Sequence, residues 1–134
     1  MIKFKRLKNL IILKDKNLNI QRNEVITLAK ELEKIKSLNL RLKNILANIE
    51  NEPPSNARDL RDINYFNIKI IDQIKVADNR EKFLEIELRR SRENLGKLMQ
   101  QKKVIKDKIE YSLKVEIDKI EKKFLEDTPN RRKT

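Results

Sequence analysis

The chain has 134 residues, of which 40% are charged and 4% aromatic, and its formal net charge is +12. It contains one glycine, no cysteine and no histidine, which argues against a globular core with tight turns, disulfides, thiolate metal sites and histidine-based catalysis. The composition therefore predicts a single helical domain, residues 1–134, that is not an enzyme. We expect no cofactor, no metal site and no small-molecule substrate.

The first predicted helix spans about residues 3–50. A series of positions at alternating steps of three and four residues runs along this helix without a gap. Only three of these positions are polar, Lys14, Gln21 and Asn39. The apolar members are Phe4, Leu7, Ile11, Leu18, Val25, Leu28, Leu32, Ile35, Leu42, Leu46 and Ile49. A repeat averaging about 3.5 residues keeps one narrow stripe facing a partner helix, which predicts a coiled coil.

A turn is predicted at about residues 51–57, where Pro53 and Pro54 follow each other. Proline lacks a backbone donor and disfavours the helical conformation of the residue before it, so the first helix must end here. Ser55 or Asn56 can cap the next helix, and Asp59 adds a carboxylate to its first turn, where the macrodipole favours one.

The second predicted helix spans about residues 57–127, and a tail follows at 128–134. A second 3-4 series runs from Leu60 to Ile109, so we predict an all-α fold: a two-helix antiparallel coiled-coil hairpin with a longer second helix. The predicted register places residue i opposite residue 109 − i, which pairs Phe4 with Ile105. Past Ile105 the second helix is expected to have no partner within the chain. There the apolar spacing shifts to Ile109, Leu113, Ile117, Ile120 and Phe124.

Two asparagines fall within the predicted seam. Asn39 is expected opposite Ile70, and Asn67 opposite Leu42, in adjacent layers. A polar seam residue disfavours alternative alignments, so these asparagines could specify the register. The alternative is that a thin two-helix seam tolerates a half-exposed asparagine.

Positive charge is concentrated near both termini of the chain. Residues 1–30 carry a net charge of +6 and residues 102–134 carry +4, whereas residues 31–101 carry +2. Folding the hairpin brings the two basic segments together, and the resulting field would steer an acidic partner toward them. Alternatively, they form a solvated face that keeps the protein in solution. The candidate binding residues, here named the basic surface, are Lys3, Lys5, Arg6, Lys8, Lys14, Lys16, Lys102, Lys103, Lys106 and Lys108.

A second candidate surface lies early in the second helix, within residues 63–71. Tyr65, Phe66, Ile68 and Ile71 are not needed by the seam, and an apolar cluster on such a thin protein suggests a docking surface. The alternative is that Phe66 and Ile71 merely broaden the seam.

No membrane insertion is expected, because the longest apolar run, Leu10 to Leu13, is far shorter than the roughly 20 residues of a spanning helix. Lys14, Asp15 and Lys16 interrupt the apolar cluster before a signal sequence could form. These features predict a cytoplasmic protein.

Three segments of the chain resemble the FliJ family, the small coiled-coil component of the bacterial flagellar type III export apparatus. They are Lys3-Phe4-Lys5-Arg6-Leu7, then Ala57-Arg58-Asp59-Leu60-Arg61-Asp62-Ile63 after a short break, and Glu116-Ile117-Asp118-Lys119-Ile120. The resemblance covers essentially the whole length, with a long first helix and a longer, highly charged second helix.

This resemblance implies a non-enzymatic stalk in flagellum biogenesis and motility. FliJ proteins are similar in shape to the two-helix coiled coil of the rotary ATP synthase gamma subunit, and insert their open end into the hexameric export ATPase, FliI. The basic surface would be the inserted part. The family also contacts the export gate protein FlhA through a strip early in the second helix, which corresponds here to Tyr65, Phe66, Ile70 and Gln73. Export chaperones are further expected partners, and the implied location is peripheral, at the inner-membrane export apparatus.

Three other interpretations remain open. The same fold and charge would suit the equivalent stalk of a virulence-type injectisome, the YscO class. A nucleic-acid-binding hairpin is a second alternative, although the basic segments offer no stacking platform and contain interspersed carboxylates, so nucleic acid is not the expected partner. A purely structural coiled coil that dimerises through the end of the second helix is a third.

Overall fold

The described part of the chain consists of two α-helices and the connection between them. The computed structural model describes residues 2–51 and 53–127. Helix α1 spans Ile2–Asn51 and helix α2 spans Ala57–Asp127, and the described residues contain no strand. The helices run antiparallel and pack against each other, which confirms the all-α two-helix hairpin with a longer second helix. The predicted tail, residues 128–134, lies outside the described residues.

The connection between the helices follows the predicted capping chemistry. Pro53 and Pro54 are exposed and lie outside both helices. Asn56 is the cap of α2: its side-chain oxygen accepts a hydrogen bond from the backbone N–H of Asp59 at 2.8 Å, and its carbonyl accepts one from Leu60 at 3.0 Å. The Ser55 hydroxyl donates to the carboxylate of Asp59. The bond from Asp59 satisfies a backbone donor that a helix start would otherwise leave free, and the bond from Leu60 is the first i→i−4 bond of α2.

Contacts within the chain define two compact units. Unit 1 consists of Met1–Gln21 with Asn94–Thr134, and unit 2 consists of Arg22–Glu93. Among the described residues, each unit is a pair of antiparallel helical segments, and unit 2 also contains the connection.

Unit 2 contains the main apolar core. Leu32, Leu84 and Leu88 are buried against one another, and Val25, Leu28, Ala29 and Ile35 pack against this cluster. Burying a leucine side chain contributes about 1.5–3 kcal/mol to folding. Nearly all seam residues of the two predicted series in this unit are buried or half-buried, with the exception of the exposed Leu60.

Unit 1 has a thinner core. Leu18 is its one buried apolar side chain among the described residues, while Leu7, Ile11, Leu98 and Ile105 are half-buried. Less apolar surface is therefore removed from water here than in unit 2, so unit 1 gains less free energy from burial.

The predicted register is wrong by seven residues. In unit 1, Lys14 contacts Gln101 and Asp15 contacts Lys102, whereas the predicted register places Leu95 opposite Lys14. In unit 2, Leu32 packs with Leu84. These contacts correspond to residue i opposite residue 116 − i. A shift of one whole heptad preserves the pairing of seam positions, so both registers satisfy the apolar pattern equally well.

One consequence concerns the end of α2. Pairing was predicted to stop at Ile105, but Ile109, Ser112 and Val115 are still half-buried. Phe4 and Lys3 lie beside residues 111–119 rather than beside Ile105. The segment without cover from α1 therefore begins about one heptad later than predicted.

Asn39 lies among acidic groups instead of beside Ile70. Its side chain is buried, and its amide donates hydrogen bonds to the carboxylates of Asp78 and, at 3.3 Å, Glu81. The side-chain oxygens of Asn39 and Asn67 have no hydrogen-bond partner. Each unmade bond carries a desolvation cost of about 1–3 kcal/mol, so burial here opposes folding. The two bonds that Asn39 donates nevertheless fit only one alignment, which agrees with a role in specifying the register.

Three ion pairs flank the seam of unit 2. Lys36 pairs with Glu85 at 3.8 Å, Lys43 with Asp78 at 3.8 Å, and Arg80 with Glu31 at 3.7 Å. All of these side chains are about half exposed, so each pair contributes at most about 1 kcal/mol.

Candidate functional site

The basic surface lies entirely within unit 1, where the first turns of α1 meet α2. Both halves of the set, residues 3–16 and residues 102–108, belong to this unit. Eight of the ten side chains are exposed, namely Lys3, Lys5, Arg6, Lys8, Lys16, Lys103, Lys106 and Lys108. The hairpin therefore brings the two predicted halves together.

The other two members of the set, Lys14 and Lys102, hold the two helices together. Both occupy seam positions and are half-buried. Lys14 donates a hydrogen bond through Nζ to Oε1 of Gln101 at 2.7 Å, and Lys102 forms an ion pair with the carboxylate of Asp15. Because each ammonium group has a polar partner on the other helix, Lys14 and Lys102 can both occupy the seam. Lys14 and Lys102 are thus less free than the exposed eight to contact another molecule.

The charge of unit 1 changes sign along α2. Residues 2–16 and 97–108 together carry eleven basic and two acidic side chains, a net charge of +9. Residues 109–127 carry four lysines and six carboxylates, a net charge of −2. Among residues 2–16 and 97–127, the excess positive charge is therefore carried by residues 2–16 and 97–108, and an anionic partner would be steered there.

A groove that the sequence did not reveal lies beside the basic surface. It is lined by Lys3 and Phe4 of α1 and by Tyr111, Val115 and Lys119 of α2, among others. Phe4 is also covered by the ammonium group of Lys8, 4.8 Å from the ring centroid. Tyr111 was missed because the predicted register placed it beyond the start of α1. Only the observed alignment brings its exposed ring next to Lys3.

Three of the four residues predicted to form the strip early in α2 are exposed, and the fourth, Ile70, is buried. Tyr65 is 62% exposed and Phe66 is 50% exposed, and Ile68 and Ile71 are exposed as well. Ile70, in contrast, is 5% exposed and lies in the seam, so it offers almost no area to a partner. The ammonium group of Lys69 lies 4.7 Å from the centroid of the Tyr65 ring.

Gln73 borders a second groove in unit 2. Leu38 and Leu42 of α1 line one side of it, and Gln73, Val76 and Ala77 of α2 line the other, together with three further residues. Leu38 and Val76 are exposed and were not identified from the sequence. Leu38 occupies a g position, which flanks the seam, and Val76 occupies a c position, so a search for apolar residues at the a and d positions alone overlooks both.

The described residues contain no group of three or more acidic, histidine or cysteine side chains that could hold a metal ion. None of the described helices is both long and apolar enough to cross a membrane. Comparison of the chain with protein-family models, with curated proteins and with solved structures found no significant match. The resemblance to the FliJ family therefore stays a prediction from the sequence.

Proposed function

We propose that this protein is a non-catalytic central stalk of the flagellar type III export ATPase complex. The observation that carries the proposal is the concentration of charge in unit 1, where residues 2–16 and 97–108 together reach a net charge of +9 on a pair of packed helices. Such a helix pair is narrow, strongly positive and built without loops. In the proposed complex, this basic surface inserts into the hole of the hexameric ATPase, FliI.

The proposed mechanism depends on symmetry. A single two-helix stalk within a ring of six subunits contacts only some of them at a time, because the stalk itself has no six-fold symmetry. Contacts that favour one subunit conformation over another shift the population of those subunits. The stalk thereby promotes assembly of the ring and ATP turnover without performing chemistry itself.

The second proposed contact is with the export gate, FlhA, and involves unit 2. The exposed rings of Tyr65 and Phe66 supply apolar area, and Gln73 supplies a polar edge beside the groove that contains Leu38. Ile70 is buried and is therefore not part of the proposed contact. This contact would hold the protein peripherally at the inner-membrane export apparatus, where export chaperones are further proposed partners. An injectisome stalk of the YscO class would use the same two surfaces.

Nucleic acid is a second candidate partner, which the high positive charge of residues 2–16 and 97–108 favours. The exposed ring of Tyr111 lies next to this charge and could stack on a base. Binding of this kind weakens steeply as salt concentration rises and requires no ATPase. A salt titration with single-stranded and double-stranded DNA therefore separates it from the stalk.

The stalk proposal is tested by measuring ATP hydrolysis by the purified export ATPase with and without this protein. Wild-type protein is expected to raise the rate of ATP hydrolysis, and a variant with four exposed basic residues of unit 1 changed to glutamate is expected not to. A matched control makes the same change in net charge on exposed residues of unit 2. The test variant changes Lys5, Arg6, Lys103 and Lys106, and the control changes Arg61, Lys75, Lys82 and Arg89.

The control variant should stimulate the ATPase as the wild type does. Absence of stimulation by the wild type, or equal loss in both variants, would remove the proposed insertion. Lys14 and Lys102 are left unchanged, because their reversal would break contacts between the helices and confuse binding with folding.

A further inference from the structure

The last part of α2 carries an apolar stripe that α1 leaves exposed. Leu113 is 44% exposed, Ile117 is 54% exposed and Ile120 is 63% exposed, and Phe124 continues the spacing. The half-buried residues of this segment are instead Ser112 and Val115. The stripe therefore lies on a different face of α2 from the seam with α1. Its steps of four, three and four residues are those of a coiled-coil seam.

We propose that this stripe, residues 113–124, binds the same stripe of a second copy of the chain in antiparallel orientation. In the heptad frame of the stripe, Leu113 and Ile120 occupy the d positions, Ile117 occupies an a position, and Glu116 and Lys123 occupy the flanking g positions. Antiparallel pairing faces g against g, so Glu116 of each copy meets Lys123 of the other.

The flanking charges argue against parallel pairing. In a parallel pair, each g position faces the e position of the following heptad on the partner. Glu116 would then face Glu121 of the second copy, twice per dimer. Parallel pairing would therefore have two repulsive contacts where antiparallel pairing has two attractive ones, so the charge pattern favours the antiparallel arrangement.

The local charge also explains why two copies would meet at this segment. The chain as a whole carries +12, and the basic surface of one copy would repel that of another. Residues 109–127 carry −2, with lysines and carboxylates interspersed, so two such segments repel each other far less than two basic surfaces do. Apolar area and near-neutral charge coincide here, next to a highly positive region of the same unit.

The interface is small, and this sets its expected strength. About four apolar side chains per copy bury less than the roughly 1,200 Å² found in stable complexes. We therefore expect weak, reversible dimerisation that is seen only at high protein concentration. This inference does not depend on the stalk proposal, since it requires neither the ATPase nor the exposed lysines of the basic surface.

The experiment is sedimentation velocity over a concentration series up to about 1 mM at an ionic strength of about 0.15 M. The wild type should shift from monomer to dimer. Glu116→Lys should raise the dissociation constant about five- to tenfold, because the introduced ammonium group then faces Lys123 of the second copy. Adding Lys123→Glu restores an attractive pair and should return the dissociation constant to near the wild-type value.

Two further variants complete the test. Asp118→Lys makes the same charge change as Glu116→Lys on the same helix but away from the stripe, and should dimerise like the wild type. Ile120→Glu places a charge within the stripe and should abolish the dimer. Ile120 is exposed in the monomer, so its replacement should leave helicity unchanged by circular dichroism.

A protein that stays monomeric at every concentration would overturn the inference. Tighter association of Glu116→Lys would also overturn it, because that result is expected only from parallel pairing against Glu121. The same holds if Asp118→Lys weakens the dimer as much as Glu116→Lys does, or if Ile120→Glu leaves the dimer intact. None of these outcomes affects the ATPase test, which depends on different residues.

Discussion

Truncation of Leu84 to alanine should test whether the seam of unit 2 stabilises the hairpin. Leu84 is 1% exposed and lies in the buried cluster with Leu32 and Leu88. Replacement by alanine removes apolar atoms from the space between α1 and α2 and leaves a cavity there. Leucine-to-alanine changes at buried sites cost about 2–5 kcal/mol. Because two helices can close part of the gap by moving together, we expect about 2–3 kcal/mol.

A matched control is the same substitution on the outside of α1. Leu40 is 63% exposed, so Leu40→Ala removes the same atoms without creating a cavity. Surface substitutions of this kind change stability by less than about 0.5 kcal/mol. Alanine is also a slightly better helix former than leucine, which makes any change small and stabilising.

The assay is urea unfolding followed by far-UV circular dichroism on both variants and the wild type. Leu84→Ala should lower the midpoint with little change in the slope of the transition, whereas Leu40→Ala should leave the midpoint where it is. A Leu84→Ala variant that loses less than about 1 kcal/mol, or no more than Leu40→Ala, would refute the placement of Leu84 between the helices.

Three more predictions address the register, the helix interior and the strip. The chain has no cysteine, so a pair of cysteines introduced at positions 14 and 101 should be cross-linked efficiently by a short bismaleimide. A pair introduced at positions 14 and 95 should not be. Cross-linking of the second pair instead of the first would support the register in which residue i lies opposite residue 109 − i. Gly96→Ala should raise the free energy of unfolding, measured by urea titration, by about 1 kcal/mol, because alanine favours the helix and a Cβ at Gly96 meets no atom within 4 Å. A loss of stability would contradict this. Phe66→Ala should weaken binding to the purified gate protein in a pull-down. Because Phe66 is half exposed, the same substitution should leave helicity and the urea midpoint unchanged. If the substitution unfolds the hairpin instead, Phe66 is a core residue.

The candidate surfaces were only partly predictable from the sequence. The exposed lysines of residues 3–8 and 103–108 could be identified, because charged residues outside the apolar series must face solvent. The roles of Lys14 and Lys102 could not, since each depends on a partner supplied by the other helix. Tyr111 was missed for the same reason: its neighbours Lys3 and Phe4 come from α1.

The amino-acid sequence by itself determined that the protein is two helices, where they begin and end, and which residues face the seam. These features are local: prolines stop a helix, Asn56 caps one, and the spacing of leucine and isoleucine selects a face. Only the tertiary structure decided the alignment of α1 on α2. A heptad pattern is unchanged by a shift of seven residues, so its apolar residues cannot distinguish one alignment from the next. The choice depends on contacts between distant residues, such as Asn39 with Asp78, and no local feature of either helix determines these contacts.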